Sequence, residues 1–161
     1  MIRLLTPADA THWKSIRLEA LKECPLVFSG SYEEEVERSD EEWARKLKHN
    51  TVLAYFDNDK PIGVIAYFRM NSEKRLHRCE IFTTFVTKAH RGKGIMDVLI
   101  AALAKHAKSE AVEQLHLDVS TNAPQAKACY ERGGFTTYGT KPRTLKVGNA
   151  YVDTYMMVKY L

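Results

Sequence analysis

The chain has 161 residues, about one domain's length, and a formal charge of 24 − 20 = +4. That scattered basic excess suits a polyanionic small molecule and argues against a nucleic-acid-binding stripe. Cys24, Cys79 and Cys129 make neither a C-x-x-C pair nor a disulfide framework, Met1–Pro7 is too short in apolar residues for a signal peptide, and the longest apolar run, Ile95–Ala104, is interrupted by Asp97 and spans half a membrane; a cytoplasmic protein with reduced thiols is expected.

Ile2–Leu5 reads as a short strand, and Thr6-Pro7-Ala8-Asp9 as a helix entry with a hydroxyl cap, an early proline and an acid in the first turn. Trp13, Ile16, Ala20 and Leu21 share one face of that helix, which should stop near Cys24-Pro25. Phe28–Glu35 reads as a loop or weak turn, and Glu33–Glu35 as a solvated face or a lure for a cationic substrate. Ser39-Asp40-Glu41-Glu42 is a capping box that opens a helix through about Lys48. Val52–Phe56 and Ile62–Met70 read as a hairpin about Asp57–Lys60, followed by a strand over His77–Val86. A helix to about Ser109, a strand at Gln114–Val119 and a helix at Ala123–Arg132, stopped by Gly133-Gly134, come next. Two long strands, Phe135–Leu145 and Tyr151–Leu161, close the chain about a Gly148-Asn149 turn. Hairpins followed by a β-α-β-α-β unit predict a mixed-sheet α/β fold in one domain, residues 1–161.

The stretch that organises the chain is Phe82–Leu103: a strand, the turn Arg91-Gly92-Lys93-Gly94, and a helix with Ile95, Val98, Leu99, Ala102 and Leu103 on one face. A helix start offers free N–H groups and the positive end of a dipole, and glycines let an anion approach the backbone. The turn is therefore either an anion site, with Lys88, Arg91 and Lys93 adding charge, or an ordinary strand-to-helix connection. A nucleotide P-loop fails, because Ile95 and Met96 follow Gly94 where Lys and a hydroxyl residue belong. A dinucleotide fingerprint lacks its third glycine, since that position is Asp97, although Asp118 sits roughly where a ribose-binding acid would.

Two motifs together resemble the GNAT superfamily of acyl-CoA-dependent N-acyltransferases. Arg91-Gly92-Lys93-Gly94-Ile95 after a strand looks like that family's pyrophosphate loop, and Asn122, Ala126, Tyr130 and Gly134-Phe135 look like its N-x-x-x-A-x-x-x-Y-x-x-x-G-F signature. The similarity extends over essentially the whole chain, including Leu21–Phe28. The chain departs from the pattern at Ala89, where Gln or Arg is common, at Met96, usually a small residue, and at Gly133, usually apolar; none of these removes a backbone N–H.

The resemblance implies a mostly antiparallel, twisted mixed sheet flanked by about four helices, with a parallel crossover at the acyl-CoA site. It implies acetyl-CoA as cosubstrate with no metal, a small-molecule or peptide amine as acceptor, and no nucleic-acid or membrane partner; a homodimer is compatible with it. Arg91, Gly92, Lys93, Gly94, Ile95 and Met96 would hold the pyrophosphate, Phe85 and Val86 main-chain groups would pair with the cofactor arm and supply an oxyanion donor, and Asn122 would bond the arm or cap its helix. Tyr130 would be the general acid that protonates the leaving thiolate, or a buried core phenol. Cys129, about 100° around the helix from Tyr130, reads as core, so transfer would be direct, in a ternary complex.

Glu80 is the candidate base, with His77 and His90 behind it, and strand parity places it on one face with Phe82, Thr84 and Val86. A lysine-like amine of pKa ~10.4 is neutral about once in 2,500 molecules at pH 7, a cost of roughly 4.6 kcal/mol, whereas an α-amine of pKa ~8 pays about 1.4 kcal/mol. A base matters for the first acceptor and hardly for the second. The rival to an enzyme is a non-catalytic acyl-CoA-binding or sensor domain on the same fold.

Overall fold

The computed structural model describes all residues, Met1–Leu161, and arranges them as seven strands and five helices. The strands are β1 (Ile2–Leu4), β2 (Thr51–Asp57), β3 (Lys60–Arg69), β4 (Arg78–Val86), β5 (Gln114–Ser120), β6 (Thr136–Val147) and β7 (Ala150–Tyr160). They form one sheet in the order β1-β2-β3-β4-β5-β7-β6, antiparallel except where β4 meets β5. The helices are α1 (Ala10–Glu23), α2 (Tyr32–Val36), α3 (Asp40–His49), α4 (Ile95–Ser109) and α5 (Pro124–Arg132). No helix is long and apolar enough to cross a membrane.

Local chemistry explains most boundaries. Pro7 starts a short 3-10 turn ahead of α1, and the Thr6 N–H donates to the Asp9 carboxylate at 2.8 Å. Ser39 and Glu42 close the expected capping box on α3. The same device at Ser31 and Glu34 opens α2, so the segment read as a loop through Glu35 contains a five-residue helix. Glu35 is neither solvated nor a lure: its side chain is buried, paired with Arg17 and Arg38.

Two apolar clusters sandwich the sheet. One gathers Leu99, Leu103 and Ala107 of α4 with Ile65, Cys79, Ile81, Leu115, Leu117 and Met157. The other gathers Trp13, Ile16, Ala20, Trp43 and Leu47 with Val52, Ala54, Val64 and Phe85. Each fully buried Leu, Ile or Val contributes about 1.5–3 kcal/mol, so both layers are needed to hold the sheet.

Two irregularities in β4 position everything that follows. Ala66 pairs with Thr83 but Tyr67 pairs with Ile81, leaving Phe82 as the extra residue of a β-bulge. The bulge breaks the expected parity: Phe82 packs toward α1 and Thr83 bonds Arg17 of α1, whereas Val86 joins the α4 cluster and Thr84 lies beside Tyr130 of α5. Glu80, between Cys79 and Ile81 of the α4 cluster, faces the α1 side, opposite Thr84 and Val86. The second irregularity is a splay. β4 and β5 pair from Arg78–Gln114 only to Ile81–Leu117, then part from each other while each keeps its other neighbour, β4 running on to Val86 and β5 to Ser120.

Candidate active site

The splay leaves one edge of β4 without a partner strand, and the antiparallel ladder on its other edge decides which groups face it. The Thr87 N–H donates to the Ile62 C=O at 2.9 Å, so bonded and non-bonded pairs alternate from there through Gly63–Val86, Val64–Phe85 and Ile65–Thr84. Phe85 therefore spends its N–H and C=O on Val64, while Thr84 and Val86 direct theirs into the splay. Of the two residues expected to offer main-chain groups to a cofactor arm, Val86 turns its groups toward the splay and Phe85 turns its own toward β3; Thr84, which the sequence reading does not name for this role, faces the splay as Val86 does. The missing signal is the bulge, which shifts the alternation by one residue.

A cavity of about 890 Å³ opens at this splay. Phe85, Val86, Arg91, Gly92, Gly94, Ile95, Met96, Asn122 and Tyr130 all line it, although they come from two motifs separated by a helix and a strand. Lys93, which is exposed, and Glu80, which is half-buried on the opposite face, lie outside the lining. Cys24, Val27 and Phe28, from the segment after α1, form the far wall.

The loop end of the cavity has the geometry of an anion cradle. Gly92 and Gly94 sit at φ +74° and +73°, the left-handed region that side chains resist, and a Cβ on either would point into space with nothing within 4 Å. Gly94 occupies the cap position of α4, so the N–H groups of Ile95, Met96 and Asp97 have no intrahelical acceptor; the first internal bond is Val98 N–H to Gly94 C=O. A phosphate fits that arrangement. Asp97 would oppose it, but Arg132 donates to its carboxylate at 3.0 and 3.2 Å. No spacing rule pointed to Arg132.

Arg91 is occupied otherwise. Its Nε donates to the Val86 C=O at 2.8 Å and its Nη2 meets Glu23 at 2.7 Å, so the guanidinium straps the loop to the end of α1. Lys93 is left as the mobile cation of the turn. His90, at the loop end of the cavity lining, is held by Thr87 through Nδ1 at 2.9 Å and lies near Asp57.

At the α5 end, Tyr130 is buried against Phe135, with its hydroxyl beside Thr84. Burial pushes the phenol up to about 12, with Thr84 pulling weakly the other way, so the group carries its proton throughout the neutral range. Cys129 also borders the cavity, but burial and then the Asp97 charge push its thiol up to about 11. A thiol so disfavoured as thiolate is a poor nucleophile. Asn122 does not cap α5: the cap position is Ala123, with no side-chain bond to the helix, and Asn122 borders the cavity.

The opposite face of the splay carries a polar set. Glu80 lies in register beside His116, with Arg78 3.6 Å away, and Asp118 is paired to Lys141 at 2.6 Å. Asp118, at the position of a ribose-binding acid in a dinucleotide fold, is thus engaged by a lysine of β6. Burial raises the Glu80 carboxyl above its ordinary value, partly offset by Arg78. His116 is nearly buried, held by Gln114 at 3.0 Å, and burial lowers its pKa. His77, the other histidine considered as a base, accepts backbone bonds from Glu113 and Gln114 at the start of β4, away from the cavity.

Solved structures reproduce this architecture. A GNAT-family acetyltransferase from Streptococcus pneumoniae superposes at TM-score 0.87 with 20% identity, covering 100% of this chain and 99% of that one. A ribosomal-protein-alanine N-acetyltransferase from Brucella melitensis gives 0.83 and 22%, with 100% and 99% covered. The yncA protein of Salmonella typhimurium, solved with its cofactor acetyl-CoA, gives 0.83 and 19%, with 99% and 92% covered. At such identities these likenesses speak for the fold. No curated protein matches the sequence. The model of the Acetyltransferase (GNAT) family matches residues 13–135, most of the chain and both motifs of the cavity, and the chain belongs to that family.

Proposed function

We propose that this protein is an N-acetyltransferase that moves an acetyl group from acetyl-CoA to a primary amine by direct transfer in a ternary complex. The observation that carries the reading is the shared cavity: a helix-start anion cradle at Gly92–Met96, the Thr84 peptide groups and the Val86 N–H on the free edge of β4, and the Tyr130 phenol all open onto the splay. A bound thioester supplies an activated acyl group there. The N–H groups of Ile95 and Met96 hold the pyrophosphate, with Lys93 as the nearby cation. The Val86 N–H is placed to donate to an acyl oxygen as negative charge grows on it. Asn122 orients the cofactor arm from the β5 side, and Tyr130 gives its proton to the departing sulfur.

Glu80, across the sheet from Tyr130, takes the proton of the incoming amine through water. Its raised pKa brings it nearer the range of a useful base. Because base and acid stand on opposite faces, the amine approaches from the α1 side while the thiol leaves toward α5.

The test is release of free thiol from acetyl-CoA over a panel of polyamine, amino-acid, drug-amine and peptide acceptors, with the acetylated product identified by mass. Turnover with at least one amine is expected. Acetyl-CoA binding by calorimetry without release on any acceptor would replace the enzyme with a binding domain.

A further inference from the structure

The largest buried charge cluster takes no part in the reaction as described. Arg17 and Glu35 are 5% and 6% exposed, in a layer otherwise built of Trp13, Ile16, Ala20 and Trp43. Glu35 accepts from Arg17 Nη2 at 2.8 Å and from Nε at 3.2 Å, a two-pronged grip, and Arg38 adds a second cation at 2.9 Å. The site is built around the pair. A Cβ on Gly30 would lie 2.6 Å from Glu35 Oε1 and 3.1 Å from Arg17 Nη2, and the Phe28 ring packs 5.0 Å from the guanidinium. Replacing such a pair by apolar residues is often neutral or stabilising, so stability alone does not account for it.

The remaining Arg17 nitrogen shows what the grip is aimed at. Nη1 donates to Thr83 Oγ1 at 3.0 Å, and Thr83 is the residue that follows the extra Phe82 of the β4 bulge. One turn earlier on α1, Trp13 meets the Phe82 ring edge-on at 6.4 Å. α1 thus holds both residues of the bulge, through an aromatic contact and a charged hydrogen bond. The bulge decides which peptide groups face the splay: with it they belong to Thr84 and Val86, and a slip of one residue would present Thr83 and Phe85 instead.

We infer that Arg17, clamped by Glu35, is a positioning residue that fixes the β4 bulge through Thr83 and so aims the Thr84 and Val86 peptide groups at the acyl-transfer cavity. This rests on the acetyltransferase reading for its catalytic consequence, but not for its structural one.

The test compares Thr83→Val, which removes the acceptor hydroxyl, with Thr83→Ser, which keeps it, and adds the double variant Arg17→Met/Glu35→Leu. Thr83→Val should lower kcat about ten- to a hundredfold. It should raise the acetyl-CoA Kd about three- to tenfold and leave the acceptor KM within about twofold. Hydrogen exchange should quicken at the ladder amides of Thr83 and Phe85 but not at Glu80. Thr83→Ser should stay near wild type in all four. The double variant should match or exceed the wild-type Tm yet share the loss of kcat and affinity. Wild-type kcat, affinity and exchange in Thr83→Val overturn the proposal, as does an equal loss in Thr83→Ser or full activity in a folded double variant. If the wild type acetylates no amine, altered exchange and acetyl-CoA affinity in Thr83→Val still uphold the clamp, and only the enzyme reading falls.

Discussion

The two faces of the sheet are built from different materials. Toward α4 and α5 the interior is apolar, and what shapes the cavity is main chain: two left-handed glycines, a helix start and the unpaired edge of β4. Toward α1 and α3 the same sheet buries Asp9, Arg17, Glu35 and Thr83, and order depends on side chains that satisfy one another. Burial by itself would raise the Glu35 carboxyl, yet the Arg17 hydrogen bond and charge hold it below the usual carboxylate range. The contrast teaches that a face made of backbone geometry is disrupted where a substitution changes φ or fills the open space. A face made of paired charges is disrupted wherever one partner is removed.

The sharpest probe of the first face is Tyr130→Phe, which keeps the ring and removes only the proton donor. General-acid catalysis is worth about 10²–10⁴-fold, or roughly 3–5 kcal/mol, so kcat should fall within that range while the acetyl-CoA Kd hardly moves. A near-wild-type kcat with a lowered Tm would make Tyr130 a core tyrosine. Next comes Gly94→Val. A β-branched residue at φ +73° is strained by about 1–3 kcal/mol, and its side chain would enter the cradle. Acetyl-CoA affinity should drop more than tenfold, read by calorimetry, with the fold intact by circular dichroism; unchanged affinity would remove the phosphate loop from the site.

On the second face, Glu80→Gln should slow transfer most for an amine of high pKa. Since burial raises the carboxyl, the carboxylate that can act as base appears only above the ordinary range near ~4.3, and activity should rise with pH through that elevated value. In the variant that limb should move upward, toward the acceptor's own titration; a profile identical to wild type would exclude Glu80 as the base. The smallest effect belongs to Arg91→Ala. Its bond to Glu23 is half-exposed, so binding should change by less than about 1 kcal/mol and the difference should shrink with added salt.

The legibility of the sequence follows the same division. Features written in short spacing were readable: the strand–Gly-x-Gly–helix unit, the two-residue hairpin turn, and the Asn122-to-Phe135 pattern, whose Asn122, Ala126 and Tyr130 line the same cavity. Features that depend on partners far along the chain were not. Glu33–Glu35 looks like three equivalent solvated acids, and only the fold shows that Glu35 meets Arg17, 18 residues earlier. Glu80, Phe82, Thr84 and Val86 alternate so regularly that nothing in the letters announces an extra residue, yet the bulge sends Glu80 to the other face. The helix at Tyr32–Val36 was within reach, because Ser31 and Glu34 have the same capping-box spacing as Ser39 and Glu42.

The outermost strands decide how readily another chain could extend the sheet. A long open edge invites a second chain to add itself and begin a ribbon of sheets. β1 offers such a visitor only three residues. β6 is longer, but Pro142 has no N–H to give, Arg143 turns left-handed at φ +51°, and the pairing with β7 is interrupted between Lys141 and Leu145. Arg143 and Lys146 add like charges that a matching edge would have to meet head-on. Each end of the sheet is thereby made a poor template, and growth by strand addition is discouraged at both.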